Sequence, residues 1–373
     1  MGRQLDLPVP SVRSLCTVAL MYLLILVPSI PLFCQNESGE ILLLKGDSLL
    51  AANHLEKAFL FYEKAYQKGS QESHWSLVFK SLYRQALYHL KVGDMNKAAE
   101  VARHGESIIN THLKTDKIFR SDMLYLNGSI AMRTGDFHGA QKHFASAFIV
   151  RKEAGVQDSL LYKIVNNLGY VCIETGDFLS AEKYLKEAIK VAEDVYSFSD
   201  QRTARPIINL ASLYTTIGDA VNALKYLDMA EKILSEFGAS ENLCILYMNK
   251  AILFKQAGDF DKSKRYYLQS LHLSEAIKTI LPQTLVLLYN NVGSFYDMMG
   301  NYEESIKYYQ KALKVAKIGT NLYLPLIYMN LGINYSKKNL CKQAERNFSK
   351  ALDNQIANTN SEHYMVANIH IRY

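Results

Sequence analysis

Small residues recur in this 373-residue chain at a spacing of roughly 41 residues, and this period constrains the fold more than any other feature. The first small residue of each repeat is Gly46, Ala86, Gly128, Gly169, Ala211, Ala251, Gly293 and Gly332. A second follows after twelve positions and a third after seven more, and every one is Gly, Ala or Ser. Small side chains let two helices approach closely where they cross. The period therefore predicts eight stacked helix pairs.

A turn signal lies between the first and second small residues of six repeats. It reads Gly93-Asp94, Gly135-Asp136, Gly176-Asp177, Gly218-Asp219, Gly258-Asp259 and Gly300-Asn301. Glycine adopts the left-handed conformation that ends one helix, and Asp or Asn caps the next helix. The chain has only 7 prolines, and none lies between Leu32 and Arg205. This scarcity favours helices over a sandwich or a barrel, because proline interrupts helices.

These residues resemble the tetratricopeptide repeat (TPR). The family's large residue, four positions after the second small one, is Tyr62, Phe144, Leu185, Leu227, Tyr267, Tyr309 and Phe348. The resemblance implies an all-α, right-handed α-solenoid of about eight TPR-like helix pairs plus a partial ninth. It also implies a concave groove lined by the first helix of each pair. The period exceeds the family's usual 34 residues or so and resembles the long-repeat branch, of about 40–42 residues, found in kinesin light chains and bacterial sensor proteins.

One face of the predicted first helices carries a row of asparagines. With the first small residue counted as position 8, position 6 is Asn167, Asn209, Asn249, Asn291, Asn330 and Asn368. An amide both donates and accepts hydrogen bonds, as the backbone of an extended peptide requires. In TPR proteins that clamp peptides, an asparagine at this position has that role. We therefore predict a groove for a protein or extended peptide in the C-terminal half. The alternative is that these amides join neighbouring helices.

Two cations and two further amides stand beside this row. Lys163 and Arg205 lie at position 2, one turn before Asn167 and Asn209. Cations beside amides are suited to a carboxylate, such as a peptide C-terminus, although ordinary solvated charge is the alternative. Asn166 and Asn290, at position 5, add amides near the same groove.

No motif in the sequence predicts catalysis. The chain has no phosphate-binding Gly-rich loop, no His-Glu-x-x-His helix and no Gly-x-Ser-x-Gly turn. The net charge of +6 is mild for this length and does not call for a nucleic-acid partner. We therefore expect a non-enzymatic module with no catalytic residues, no metal site and no cofactor.

An uncharged apolar segment runs from Ser14 to Phe33, after Arg3 and Arg13 and before a polar stretch. This order predicts a cleaved signal peptide or a retained membrane anchor over residues 1–34, followed by the solenoid over residues 35–373. The positive flank stays inside in both cases, so we expect the solenoid to be extracytoplasmic, in the periplasm. A retained segment would also attach the chain to the inner membrane.

The last residues match the beginning of a ninth repeat, which starts at about residue 362 and is incomplete. A solenoid normally ends in a polar capping helix, so we expect a truncated chain or part of a longer protein. Three functions fit: the extracytoplasmic sensor or scaffold part of a bacterial envelope signalling protein, a self-contained periplasmic assembly scaffold, or the non-catalytic part of a truncated enzyme.

Overall fold

Helices account for all the regular structure in the part of the chain that the structure describes. The computed structural model covers residues 37–277, 280–319 and 322–358, which form sixteen α-helices and no strand. In chain order these are α1 (Gly39–Ala51), α2 (Leu55–Gln71), α3 (Trp75–Val92), α4 (Met95–His112), α5 (Lys117–Thr134), α6 (Phe137–Glu153), α7 (Ser159–Glu174), α8 (Phe178–Val195), α9 (Ala204–Thr216), α10 (Ala220–Leu234), α11 (Glu241–Gln256), α12 (Phe260–Ala276), α13 (Pro282–Met298), α14 (Tyr302–Gly319), α15 (Leu324–Lys337) and α16 (Cys341–Asn358). They confirm the predicted all-α solenoid.

Two predictions fall on other parts of the chain. The signal or anchor over residues 1–34 and the partial ninth repeat from about residue 362 lie outside the described residues. Within those residues, no helix combines the length and the apolar character needed to cross a membrane.

Each helix packs most extensively against the other member of its pair, α1 against α2 and so on to α15 against α16. Successive first helices also contact one another; for example, α7 contacts α9, and α9 contacts α11. Successive second helices make no comparably extensive contact in the described ranges. Because the first helices are closer together, the array curves with the first helices on its concave side.

The first small residue of each repeat lies where the first helix meets the second. A Cβ added at Gly128 would lie 2.7 Å from the ring of Phe144, which is fully buried. The same close approach joins Gly46 to Tyr62, Gly169 to Leu185, Gly293 to Tyr309 and Gly332 to Phe348. In the other three repeats a fully buried alanine takes this place: Ala86, Ala211 and Ala251. In the five repeats with glycine, the large residue of the second helix thus packs directly on the backbone of the first.

The turns within the pairs have the geometry that the sequence predicts. The six turn glycines have φ between +71° and +86°. The residue after each glycine caps the second helix; Asp136 Oδ1, for example, accepts a hydrogen bond from the Gly139 backbone N–H at 2.8 Å. Repeats 1 and 8 lack the glycine, and Asn53 (φ +61°) and Asn339 (φ +59°) replace it. Asparagine tolerates the left-handed conformation, so it ends a helix in the same way.

Gly128→Ala and Gly105→Ala are the same chemical change, and we expect opposite effects on stability. A Cβ at Gly105, inside α4, would make an ordinary 3.4 Å contact with Met123 Sδ. Alanine there should raise the free energy of unfolding by up to about 1 kcal/mol, through helix propensity. At Gly128 the overpacking against Phe144, about 1–3 kcal/mol, should outweigh that gain. Urea denaturation measures both, and two shifts in the same direction would contradict the packing described above.

Candidate ligand groove

The predicted asparagine row lies on the first helices, one residue to a helix. Asn167, Asn209, Asn249, Asn291 and Asn330 lie on α7, α9, α11, α13 and α15, and all five are partly exposed. The sixth, Asn368, lies outside the described residues. The five amides therefore follow the concave side of repeats 4 to 8.

Two of these amides donate to an asparagine on the preceding first helix. Asn209 Nδ2 donates to Asn166 Oδ1 at 3.0 Å, and Asn330 Nδ2 donates to Asn290 Oδ1 at 2.9 Å. Both acceptors, the position-5 residues, are buried. Asn209 and Asn330 thus join neighbouring repeats through Asn166 and Asn290, which is the alternative role that the sequence left open for the row.

The paired amides still have hydrogen-bonding capacity. A side-chain amide can donate two hydrogen bonds and accept two. Asn209 uses one N–H in its pair with Asn166, and its Oδ1 accepts no hydrogen bond from a described residue. Asn166 in turn donates to Asn167 Oδ1 at 3.3 Å. These bonds hold the amides in one orientation, which reduces the entropy that a further partner would have to remove.

Asn249 and Asn291 differ from the paired amides. Neither side chain makes a hydrogen bond to any residue that the structure describes. They lie on adjacent first helices, α11 and α13, between the oriented amides of Asn209 and Asn330. An extended ligand would therefore meet two open amides flanked by two oriented ones.

The two predicted cations have different surroundings. Lys163 on α7 is exposed and makes no hydrogen bond within the described ranges. Arg205 on α9 is partly buried, and its Nη1 donates to Asn242 Oδ1 on α11 at 3.2 Å. Neither cation has a described carboxylate within ion-pair distance. Among the described residues, no acid therefore compensates either charge.

A third cation, which the sequence does not indicate, lies on α11, the helix that carries Asn249. Lys255 on α11 donates from Nζ to Ser294 Oγ on α13 at 3.4 Å. Burial lowers the pKa of its ammonium group, and no described carboxylate lies within ion-pair distance. Position 12 of the repeat carries no common residue type, so the sequence offers no signal for this lysine.

Further polar groups of the groove lie on repeats 3 and 4. Glu174 on α7 remains accessible to water, yet the surrounding protein raises the pKa of its carboxyl, and a hydrogen bond from Tyr170 offsets part of that rise. Burial lowers the pKa of the Arg133 guanidinium on α5. Both charged residues stand at position 13, one turn beyond the face formed by positions 2, 6 and 9. Extending that face by one turn would have identified them.

Comparison with known families assigns the repeats directly. A solenoid of helix pairs with a concave face of first helices is the architecture of a repeat-built binding protein. Family models described as tetratricopeptide repeat match residues 284–357 and residues 162–195 and 246–277. These segments of the chain are tetratricopeptide repeats. No curated protein matches the sequence significantly.

Several solved structures share this fold. A Rap protein complexed with competence and sporulation factor has a TM-score of 0.63 and 14% identity, over 90% of this chain and 96% of that one. The apo form of RapI has a TM-score of 0.59 and 13% identity, over 75% and 97%. BtubC (BKLC) from P. vanneervenii has a TM-score of 0.51 and 21% identity, over 60% and 91%. Membership of the long-repeat branch stays a prediction.

The Asn166–Asn209 pair should couple the stability of repeats 4 and 5. We expect Asn166→Ala and Asn209→Ala each to lower the free energy of unfolding by about 1 kcal/mol, because each leaves a groove amide without its partner. The double variant should lose less than the sum. Asn249→Ala, which breaks no bond to a described residue, serves as the control and should change stability by less than about 0.5 kcal/mol. Urea denaturation gives all four values, and strict additivity would show that the pair contributes nothing.

Proposed function

We propose that this chain binds an extended peptide, or an extended segment of a protein, along the first helices of its C-terminal half. The observation that carries the proposal is the row of amides, in which Asn249 and Asn291 are open and Asn209 and Asn330 are held in one orientation. The Rap protein of similar fold, which is complexed with competence and sporulation factor, supports a ligand-binding role.

The spacing of the row suits an extended backbone. Neighbouring packed helices lie about 8–10 Å apart. A polyproline II peptide advances about 3.1 Å per residue and presents the same face every third residue, or about every 9 Å. One asparagine in each repeat would therefore meet equivalent backbone groups of the ligand, independently of its side chains. Affinity would come from the amides and selectivity from the groups beside them.

Charge beside the row favours an acidic ligand. Arg205 and Lys255 lie on α9 and α11, and Lys163 lies on α7, each without a described carboxylate in ion-pair distance. A cation whose pKa is already lowered by burial, as for Lys255, gains most from a new negative partner. We infer that the peptide carries an acidic side chain or a free C-terminal carboxylate near this part of the groove.

We also propose that the module is non-enzymatic and extracytoplasmic, as the sensor or scaffold part of a bacterial envelope signalling protein. The uncharged segment from Ser14 to Phe33, with Arg3 and Arg13 before it, supports export. Two observations support a binding role: the sequence carries none of the catalytic motifs, and the chain contains tetratricopeptide repeats.

Selection of peptides against the full chain tests the binding proposal. Peptides selected from a random library displayed on phage should bind the Asn249→Ala, Asn291→Ala double variant at least about ten-fold more weakly, since two hydrogen bonds are lost. Asn347→Ala removes the same side chain from the second helix α16 and should leave affinity unchanged. Equal affinity of the wild type and the double variant for every selected peptide would overturn the proposal.

A reporter fusion tests the proposed location. Residues 1–60 fused to alkaline phosphatase should give an active enzyme in a bacterial host, because the reporter needs disulfides that form outside the cytoplasm. Deleting residues 14–33 from the fusion should abolish activity. Equal activity with and without that segment would contradict export through it.

A further inference from the structure

The connection between α14 and α15 contacts a distant part of the array. Leu322 Cδ1 lies so close to the turn of repeat 3 that a Cβ added at Gly135 would be 2.8 Å from it. The corresponding turn glycines of repeats 4 to 7, Gly176, Gly218, Gly258 and Gly300, have nothing within 4 Å of such a Cβ. The turn of repeat 3 thus receives an aliphatic side chain that its equivalents do not.

The ring of the next residue, Tyr323, packs against the core of repeats 7 and 8, and its phenol interacts with polar groups from both ends of the array. Gln283 Nε2 donates to Tyr323 Oη at 2.8 Å. Burial raises the pKa of the Tyr323 phenol, the hydrogen bond from Gln283 offsets part of the rise, and the charges of Glu174 and Arg133 act on it in opposite directions. The Tyr323 phenol in turn contributes to the raised pKa of Tyr170. Leu322 therefore lies against the turn of repeat 3, and the adjacent Tyr323 stands between the core of repeats 7 and 8 and the charged groups of repeats 3 and 4.

The receiving surface consists of Arg133 and Gly135 at the end of α5 and of Tyr170 and Glu174 on α7; we call it the repeat 3–4 site. The two charged residues of the site do not form an ion pair with each other. Within the described ranges neither Arg133 nor Glu174 has an opposite charge at ion-pair distance. Arg133 Nη1 donates to the Leu90 carbonyl oxygen at 3.3 Å, and Glu174 accepts from Tyr170. Both groups keep the capacity to bind a polar group of a ligand.

We propose that the repeat 3–4 site binds a peptide that carries an aliphatic residue followed by a tyrosine, and that Leu322 and Tyr323 occupy this site in cis. Neither occupant is fully buried, so the contact is small enough to be exchanged. An external peptide competes with a segment of the same chain, whose effective concentration is high. The inference goes beyond the proposed function, because it uses none of the asparagines in the row.

The probe is a labelled synthetic peptide with the sequence of residues 320–325, Thr-Asn-Leu-Tyr-Leu-Pro. It should bind the Leu322→Ala, Tyr323→Ala chain at least about ten-fold more tightly than the wild type, because the competing segment is weakened. A peptide with alanine in place of its first leucine and its tyrosine should lose this binding. If the double variant loses helicity by circular dichroism, Tyr323→Ser provides the same comparison with a smaller change.

Variants of the site localise the effect. Glu174→Ala, added to the Leu322→Ala, Tyr323→Ala chain, should weaken peptide binding about ten-fold, because the peptide loses one polar contact to a charged group. Gln256→Ala, at position 13 of repeat 6, is the matched control and should leave it unchanged. A photoreactive benzophenone at the tyrosine of the peptide should crosslink to residues 117–135 or 159–174.

Three results would overturn the inference: equal affinity of the probe for the wild type and the double variant, retained binding of the alanine peptide, or crosslinks confined to other helices. Asn249→Ala with Asn291→Ala should not change the affinity of this probe. The groove in the C-terminal half and the repeat 3–4 site can therefore fail independently of each other.

Discussion

The structure depends on one contact that recurs in five of the eight described repeats, between a glycine of the first helix and the large side chain of the second helix that packs on it. In repeat 3 this is Gly128 against Phe144, and in repeat 7 it is Gly293 against Tyr309. Each fully buried aromatic or aliphatic side chain contributes about 1.5–3 kcal/mol. The contact also sets the angle between the two helices of a pair, so it determines where the next pair stacks and how the groove curves.

The sequence predicts what depends on local patterns. The Gly135–Asp136 turn can be recognised from a few neighbouring residues, and the structure confirms that one helix ends and the next begins there. The small residue at Gly128 is recognised in the same local way. Asn53 and Asn339 adopt the same left-handed conformation as the turn glycines, but asparagine is too common in other contexts to predict such a turn. The position of the asparagine row on the first helices also follows from the period alone.

Contacts between repeats depend on distances between helices, and the sequence period does not predict those distances. The bond from Asn209 to Asn166 requires two first helices to approach within reach of two short side chains. The approach of Leu322 to Gly135 depends on curvature accumulated over several repeats, so no local pattern indicates it. In the groove the surrounding protein also strengthens polar interactions, because it displaces water around groups such as Lys255.

The central claim is that open amides on successive first helices bind the backbone of an extended chain. The most direct measurement is a crystal structure of the full chain with a peptide selected against it. We expect the peptide to lie along α9 to α15, with its backbone N–H and C=O groups bonded to the side chains of Asn249 and Asn291. A peptide bound to the second helices, or held in the groove by side-chain contacts alone with both amides unused, would contradict the account.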